Sequence, residues 1–209
     1  MKNTLFILSV VWILTSCESA QYDLDRSINI PDEVYSELPA YSEWGYNTFG
    51  AFYERKLFIY SNSEVPAKVT YTNNLARLCF KGLLREPSTY DGYYGDYYYS
   101  GEPMTLIFDL PEFHPDTYSD LVELNEKNFS LKDPKMNVTA IISLDTIDLN
   151  IFNGELQIRK ANQLMVDDEP VGVILSGYFG FQALVNGTPV SMSYGRFDVN
   201  IDQYDFAKY

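Results

Sequence analysis

The chain has 209 residues, with 15 Lys and Arg against 29 Asp and Glu, a formal net charge of −14, and 18 tyrosines. So acidic a surface repels nucleic-acid phosphates and anionic lipid headgroups, which sets nucleic-acid binding aside; the plain reading of the acidity is solubility. Two cysteines and a single histidine supply neither a disulfide framework nor the ligands of an ordinary structural zinc site.

Lys2 gives a short positive start. Leu5, Phe6, Ile7, Leu8, Val10, Val11, Trp12, Ile13 and Leu14 form an apolar run, and the small residues Thr15 and Ser16 precede Cys17. This is the three-part layout of a secretory signal, too short to span a bilayer stably. Leu14-Thr15-Ser16-Cys17 resembles the cleavage box of bacterial lipoproteins, an aliphatic residue and two small ones before Cys. The resemblance implies that the Cys17 sulfur takes a diacylglyceryl group, that the signal is cut before it, and that the new amino end is acylated. The expected location is then the cell envelope, as an outer-membrane lipoprotein facing the periplasm or the exterior. Each buried methylene contributes about 0.8 kcal/mol, and two or more chains hold where one binds marginally. The alternative is an ordinary signal cut elsewhere. The apolar run meets the polar Glu18-Ser19-Ala20-Gln21 at Cys17, which favours lipidation. Without residues 1–17 the chain keeps 192 residues and, losing only Lys2, a charge of −15, enough for one domain with a core.

Residues 18–38 are polar and weakly patterned, with Pro31 and Pro39 as punctuation, and read as a tether that docks near Val34, Tyr35 and Leu38. Residues 39–209 read as a single all-β domain, because from Thr48 onward the apolar period is two. Phe49 to Tyr53 and Lys56 to Tyr60 are expected strands around Glu54-Arg55. Ala67, Val69 and Tyr71 alternate with polar residues up to Asn73-Asn74, a pair that tolerates the positive φ of a tight hairpin, and Leu75 to Lys81 returns. Met104, Leu106, Phe108 and Leu110 alternate next. Thr117 with Asp120 forms a loose capping box before Leu121, Val122 and Leu124, which predicts one short helix of two or three turns.

Val138, Ala140, Ile142 and Leu144 follow. Ile147, Leu149 and Ile151 lead to Asn153-Gly154, and Leu156 and Ile158 lead away, a strong hairpin signal. A long strand carries Val171, Val173, Leu175, Gly177, Phe179, Phe181, Ala183 and Val185 on one face and ends at Asn186-Gly187. Val190, Met192 and Tyr194 begin the return. Phe197, Val199 and Ile201 are expected inward, and Asp198, Asn200 and Asp202 outward. The whole predicts an antiparallel β-sandwich or an open barrel, calycin-like as an alternative, of roughly ten strands with one short helix.

Glu37-Leu38-Pro39 followed by Gly45-Tyr46-Asn47-Thr48-Phe49-Gly50 resembles the start of a group of Bacteroidetes lipoproteins with a domain of unknown function. Ser176-Gly177-Tyr178-Phe179-Gly180-Phe181 and Gly195-Arg196-Phe197-Asp198-Val199 are similar to their closing stretches. The resemblance implies a β-rich envelope lipoprotein of a gut-type anaerobe and carries over no catalytic residue. The chain departs from the pattern at Glu54-Arg55, where Asn-Gly is common in the group, and in its tyrosine insert.

That insert is the first candidate for a binding surface. Tyr90, Tyr93, Tyr94, Tyr97, Tyr98 and Tyr99 fall within ten residues, interleaved with Asp91, Gly92, Gly95 and Asp96. Tyrosine offers a flat apolar face and a hydroxyl at small entropic cost. A sugar ring could stack there while Asp91, Asp96 or Glu102 binds its hydroxyls, and a protein partner is the other candidate. The structural alternative is a hairpin whose rings shield a sheet edge.

The remaining chemistry is sparse. His114 has no Gly-x-Ser-x-Gly elbow to accompany it and reads as a turn residue. Cys79, between Leu78 and Phe80, reads as a small buried hydrophobe. Asp167-Asp168-Glu169 reads as a turn, and Asp198, Asp202 and Asp205 form no EF-hand. No carboxylate pair is marked for glycoside hydrolysis. Asp145-Thr146-Ile147 resembles the sites at which Bacteroidetes glycosylate exported proteins, against the reading of a plain strand-end hydroxyl. The expectation is therefore a non-enzymatic binding module with no catalytic residues, metal or cofactor. Its rivals are a carrier holding an apolar ligand in a calycin-like barrel and a structural subunit of a surface complex.

Overall fold

Alternation of apolar and polar residues builds one curled, mostly antiparallel sheet. The computed structural model describes residues 27–60, 65–87 and 101–209. Its strands are β1 Thr48–Tyr53, β2 Lys56–Ile59, β3 Ala67–Thr72, β4 Leu75–Arg85, β5 Glu102–Leu110, β6 Asn128–Ser130, β7 Val138–Ile142, β8 Asp145–Asp148, β9 Asn150–Val166, β10 Glu169–Val185, β11 Thr188–Ile201 and β12 Phe206–Lys208. The main path runs β6-β9-β10-β11-β1-β2-β4-β5-β7-β8, with β3 on β4 and β12 added to β3 in parallel. The sheet curls into a half-barrel, so of the two architectures expected it is the open barrel that forms. Strand β8 ends the path, yet only Leu149 separates it from β9 near the other end, and the Leu149 N–H donates to the Val138 carbonyl at 3.1 Å.

Turns with two left-handed residues make three of the hairpins. These are Asn73-Asn74 (φ 53° and 61°), Asp167-Asp168 (50° and 64°) and Asn186-Gly187 (50° and 81°). Glu54 also takes φ 55° between β1 and β2.

The Asn153-Gly154 hairpin does not form. Both residues lie inside β9, opposite Gln182 and Phe181 of β10. Phe152 is an extra residue at that point, where the register steps from Gln182↔Asn153 to Ala183↔Ile151. A Cβ on Gly154 would lie 2.5 Å from Phe181 Cβ, so the glycine serves a bulge and a close approach within the sheet, not a turn. Leu144, expected to continue the strand of Val138, instead sits in the β7–β8 turn and is 95% exposed.

The short helix is a 3₁₀ helix, Tyr118–Leu124, with Leu121 and Leu124 buried. Asp120 accepts from the backbone N–H groups of Asp116 at 2.7 Å and Thr117 at 2.9 Å, as a capping acid should.

The concave side is filled with phenylalanine. Phe49 meets Phe58 at 4.7 Å and Phe80 at 4.8 Å between ring centroids, Phe80 meets Phe197 at 4.9 Å, and Phe108 meets Phe179 at 5.4 Å.

The convex side is covered in part by residues 27–47, which form a strap. Its Pro31 and Pro39 pair as an isolated bridge, and buried Leu38 packs on Leu57 and Ile59. Docking expected near Val34, Tyr35 and Leu38 therefore extends from Ser27 to Asn47, with Val34 itself exposed.

Candidate functional site

Two of the residue sets singled out by sequence fall outside the described residues: Cys17, and Tyr90, Tyr93, Tyr94, Tyr97, Tyr98 and Tyr99 with Asp91 and Asp96. The roots of the tyrosine stretch are described. Leu84 of β4 pairs with Glu102 of β5, so the insert joins these two neighbouring strands. Glu86 forms an exposed ion pair with Lys56 at 3.6 Å, and Glu102 accepts from Ser143 Oγ at 2.9 Å, beside the turn that carries Leu144.

The best-defined polar arrangement in the described residues is the junction of strap and sheet, which buries the outward face of β11. Asp198, Asn200 and Asp202 point away from the core as expected, but are 1%, 4% and 6% exposed because the strap and the chain end cover them. Asp198 receives the strap loop. Its carboxylate accepts from Ser42 Oγ and from the N–H groups of Trp44 (3.2 Å), Gly45 (2.8 Å) and Tyr46 (3.2 Å). Gly45 holds φ 74° against Ile174, and Asn47, at φ 53°, accepts the Asn200 N–H on its Oδ1 at 2.8 Å.

Further along the strap, Arg196 bonds Asp32, whose carboxylate also caps the N–H groups of Val34 and Tyr35 at 3.0 and 2.9 Å. The Tyr35 N–H above all holds the Asp32 carboxyl below the usual range; burial opposes it, and the Val34 N–H and the Arg196 guanidinium add to the lowering. Tyr35 lies 4.3 Å from Tyr194, which takes φ 54° at a bulge where Phe179↔Gly195 steps to Phe181↔Met192. Asp202 caps the N–H groups of Tyr204 and Asp205, so this acid builds a turn.

The other single residues sort as follows. His114 Nδ1 lies 3.3 Å from the Tyr71 hydroxyl on the exposed stretch between β5 and the 3₁₀ helix. Cys79 is half-buried on the outer face between Arg77 and Lys81, not in the core, and burial raises its thiol above the ordinary value. Thr146 is exposed on strand β8 at the end of the sheet path. Among the described residues no three His, Cys, Asp or Glu side chains converge as a metal site would need, and no helix is long and apolar enough to cross a membrane. A pocket of about 40 Å³ lies between strap and sheet, lined by Ser27, Glu37, Pro39, Asn47 and Tyr60, with room for a water or so.

The fold and this junction define a curled all-β sheet with an N-terminal strap. Compared with protein-family models, with curated proteins and with solved structures, the chain matches none.

Sequence reasoning expected docking near Tyr35 and Leu38 but missed the junction at Asp198, because its contacts are long-range: Asp198 and Gly45 are 153 residues apart. The signal that could have found it is the concentration of unusual residue types at both ends, Gly45 and Asn47 in one and Arg196 and Asp198 in the other.

Proposed function

We propose that this protein is a non-enzymatic binding module of the cell envelope, anchored in the outer membrane through lipid on Cys17, which meets its ligand on its surface. The contact surface in this reading is the tyrosine stretch between β4 and β5, with Tyr93, Tyr94, Tyr97 and Tyr98 stacking on a glycan and Asp91 and Asp96 accepting from its hydroxyls. The observation that carries the surface reading is the filled interior. Phe49, Phe58, Phe80, Phe108, Phe179 and Phe197 occupy the concave side where a carrier would hold its cargo. Pockets for small ligands span roughly 300 Å³ or more, well above the space beneath the strap.

The test is a glycan array probed with residues 18–209, which retain every described residue, beside the variant with Tyr93, Tyr94, Tyr97 and Tyr98 changed to Ala. Binding by the parent and loss in the variant, with equal thermal unfolding, is the expected result. Binding by neither removes glycan stacking at the insert, and an apolar ligand copurifying with the parent would favour the carrier. For the anchor, radiolabelled palmitate fed to an expressing Gram-negative host should label the parent and not Cys17→Ser; equal labelling would sink the lipoprotein reading.

A further inference from the structure

On their outer face, strands β9 and β10 meet the strap loop through a group of side chains that stays partly open to solvent. Trp44 sits on the strap loop with its backbone fixed by Asp198, yet its side chain is 71% exposed. Lys160 Nζ lies 5.7 Å from the indole centroid and donates to the Glu43 carbonyl at 2.8 Å. Tyr41 stacks on Tyr178 at 4.2 Å and donates to Glu43 Oε1 at 2.9 Å, while Tyr178 stays 38% exposed. Lys160 pairs with Ser176, two residues before Tyr178 on the same face, so the indole and phenol rings flank one short stretch of sheet.

A bulge concentrates charge there. Ser176 faces Lys160 and Gly177 faces Ile158, which leaves Arg159 as the extra residue of β9 beside Lys160. Arg159 is exposed, and among the described residues no ion pair engages Arg159 or Lys160. In a chain with 29 acidic and 15 basic residues, two adjacent cations without carboxylate partners beside two exposed rings form a local inversion of the surface charge. The electrostatics of such an island select an anion, the planar guanidinium matches a carboxylate, and the exposed rings select a flat, partly apolar body.

We infer that this patch binds an acidic saccharide, a uronate-containing glycan. The sugar ring packs against the exposed indole of Trp44, the uronate carboxylate accepts from Arg159 and Lys160, and the Glu43 carboxylate accepts from a ring hydroxyl. Asp198 is a positioning residue here, because it holds Trp44 in place before any ligand arrives. The inference rests on the surface-binding reading above and adds to the tyrosine stretch a second site, at the strap and selective for acidic sugars, so the two are separable by mutation.

Trp44 and Trp12 are the two tryptophans of the chain, so residues 18–209 carry Trp44 as their own reporter. Short oligouronates (galacturonate, glucuronate, mannuronate) would be titrated against its fluorescence, with the methyl-esterified neutral forms as controls. The expected result is a saturable change with one of the acids, weakened about tenfold or more by esterification, by added salt and in Arg159→Gln/Lys160→Gln. Trp44→Ala, followed by calorimetry, should lose binding with the fold kept. The four-tyrosine variant should bind as the parent does. No saturable change with any uronate, or equal binding of the neutral esters, overturns the inference. So does loss in the four-tyrosine variant with binding kept in Arg159→Gln/Lys160→Gln, an outcome that would leave the proposed tyrosine site standing.

Discussion

At the scale of the residue, Asp198 carries the largest local consequence. A carboxylate that is 1% exposed must be satisfied by protein donors, and here Ser42 and three successive backbone N–H groups supply them. Asp198→Ala leaves those donors facing an emptied space, and each buried donor left unsatisfied costs about 1–3 kcal/mol. We expect a loss of about 3 kcal/mol or more, read as a lower urea midpoint with an unchanged slope. A loss below about 0.5 kcal/mol would mean that water replaces the carboxylate and the strap loop is not held as described. Gly177 makes a second demand. A Cβ there would sit 1.9 Å from the Gln157 carbonyl oxygen and 2.9 Å from the Phe197 ring. Backbone cannot yield as a side-chain tip can, so Gly177→Ala should destabilise by about 1–3 kcal/mol despite adding one methyl group. Gly187→Ala should act through its φ of 81° instead, since nothing lies within 4 Å of its Cβ position. Comparing their chemical unfolding separates crowding from backbone strain.

At the scale of the element, the attachment of the strap is expected to depend on pH. The folded state holds Asp32 below its ordinary 3.8, chiefly through the Tyr35 N–H. A carboxyl whose folded value is depressed stabilises the fold fully above the unfolded value and loses that contribution as pH falls through the folded one. The strap should therefore stay docked at neutral pH and loosen on acidification below the usual carboxylate range. Hydrogen exchange at the Val34 and Tyr35 amides of the parent, minus that of Asp32→Asn, should show a constant difference above roughly pH 5 that shrinks toward lower pH. A difference that grows on acidification would contradict the assignment. The hairpins show how much of an element is local. Asn73-Asn74 and Asn186-Gly187 are turns because their φ values are left-handed and nothing nearby resists. Asn153-Gly154 has the same local chemistry and is no turn, because β10 and β6 pair with β9 on either side of it. The bulge at Tyr194 was half legible, since the apolar phase slips from even positions at Val190 and Met192 to odd ones at Phe197 and Val199.

At the scale of the whole molecule, the two conspicuous end motifs are the two sides of one junction. Gly45 donates to Asp198 and Asn47 accepts from Asn200 across the junction, while within the first motif a Cβ on Gly50 would lie 2.7 Å from Pro39 Cδ. Their unusual residue types therefore answer packing and left-handed backbone. The interior is equally committed. Phe80 touches Phe49, Phe108, Phe179 and Phe197, so Phe80→Ala should cost about 3–5 kcal/mol. The same variant should take up a small apolar probe such as benzene, seen by calorimetry, where the parent takes up none. Uptake by the parent would mean that the phenylalanine cluster yields readily and would revive the carrier.

The sequence by itself determined the all-β class, most strand positions, four of the turns and the capping acid Asp120, because each rests on a period of two or on a neighbour within a few residues. It also marked Leu14-Thr15-Ser16-Cys17 and the tyrosine stretch as the places to test for anchoring and binding. Only the tertiary structure decided that the sheet curls instead of splitting into a sandwich, that Asn153-Gly154 runs straight through β9, and that the outward-facing Asp198, Asn200 and Asp202 are buried. It alone brought Trp44 beside Lys160 across 116 residues of chain. The physical reason is one of range. Backbone preference and alternation act over a few residues, whereas burial of an outer face depends on which distant segment comes to lie on it.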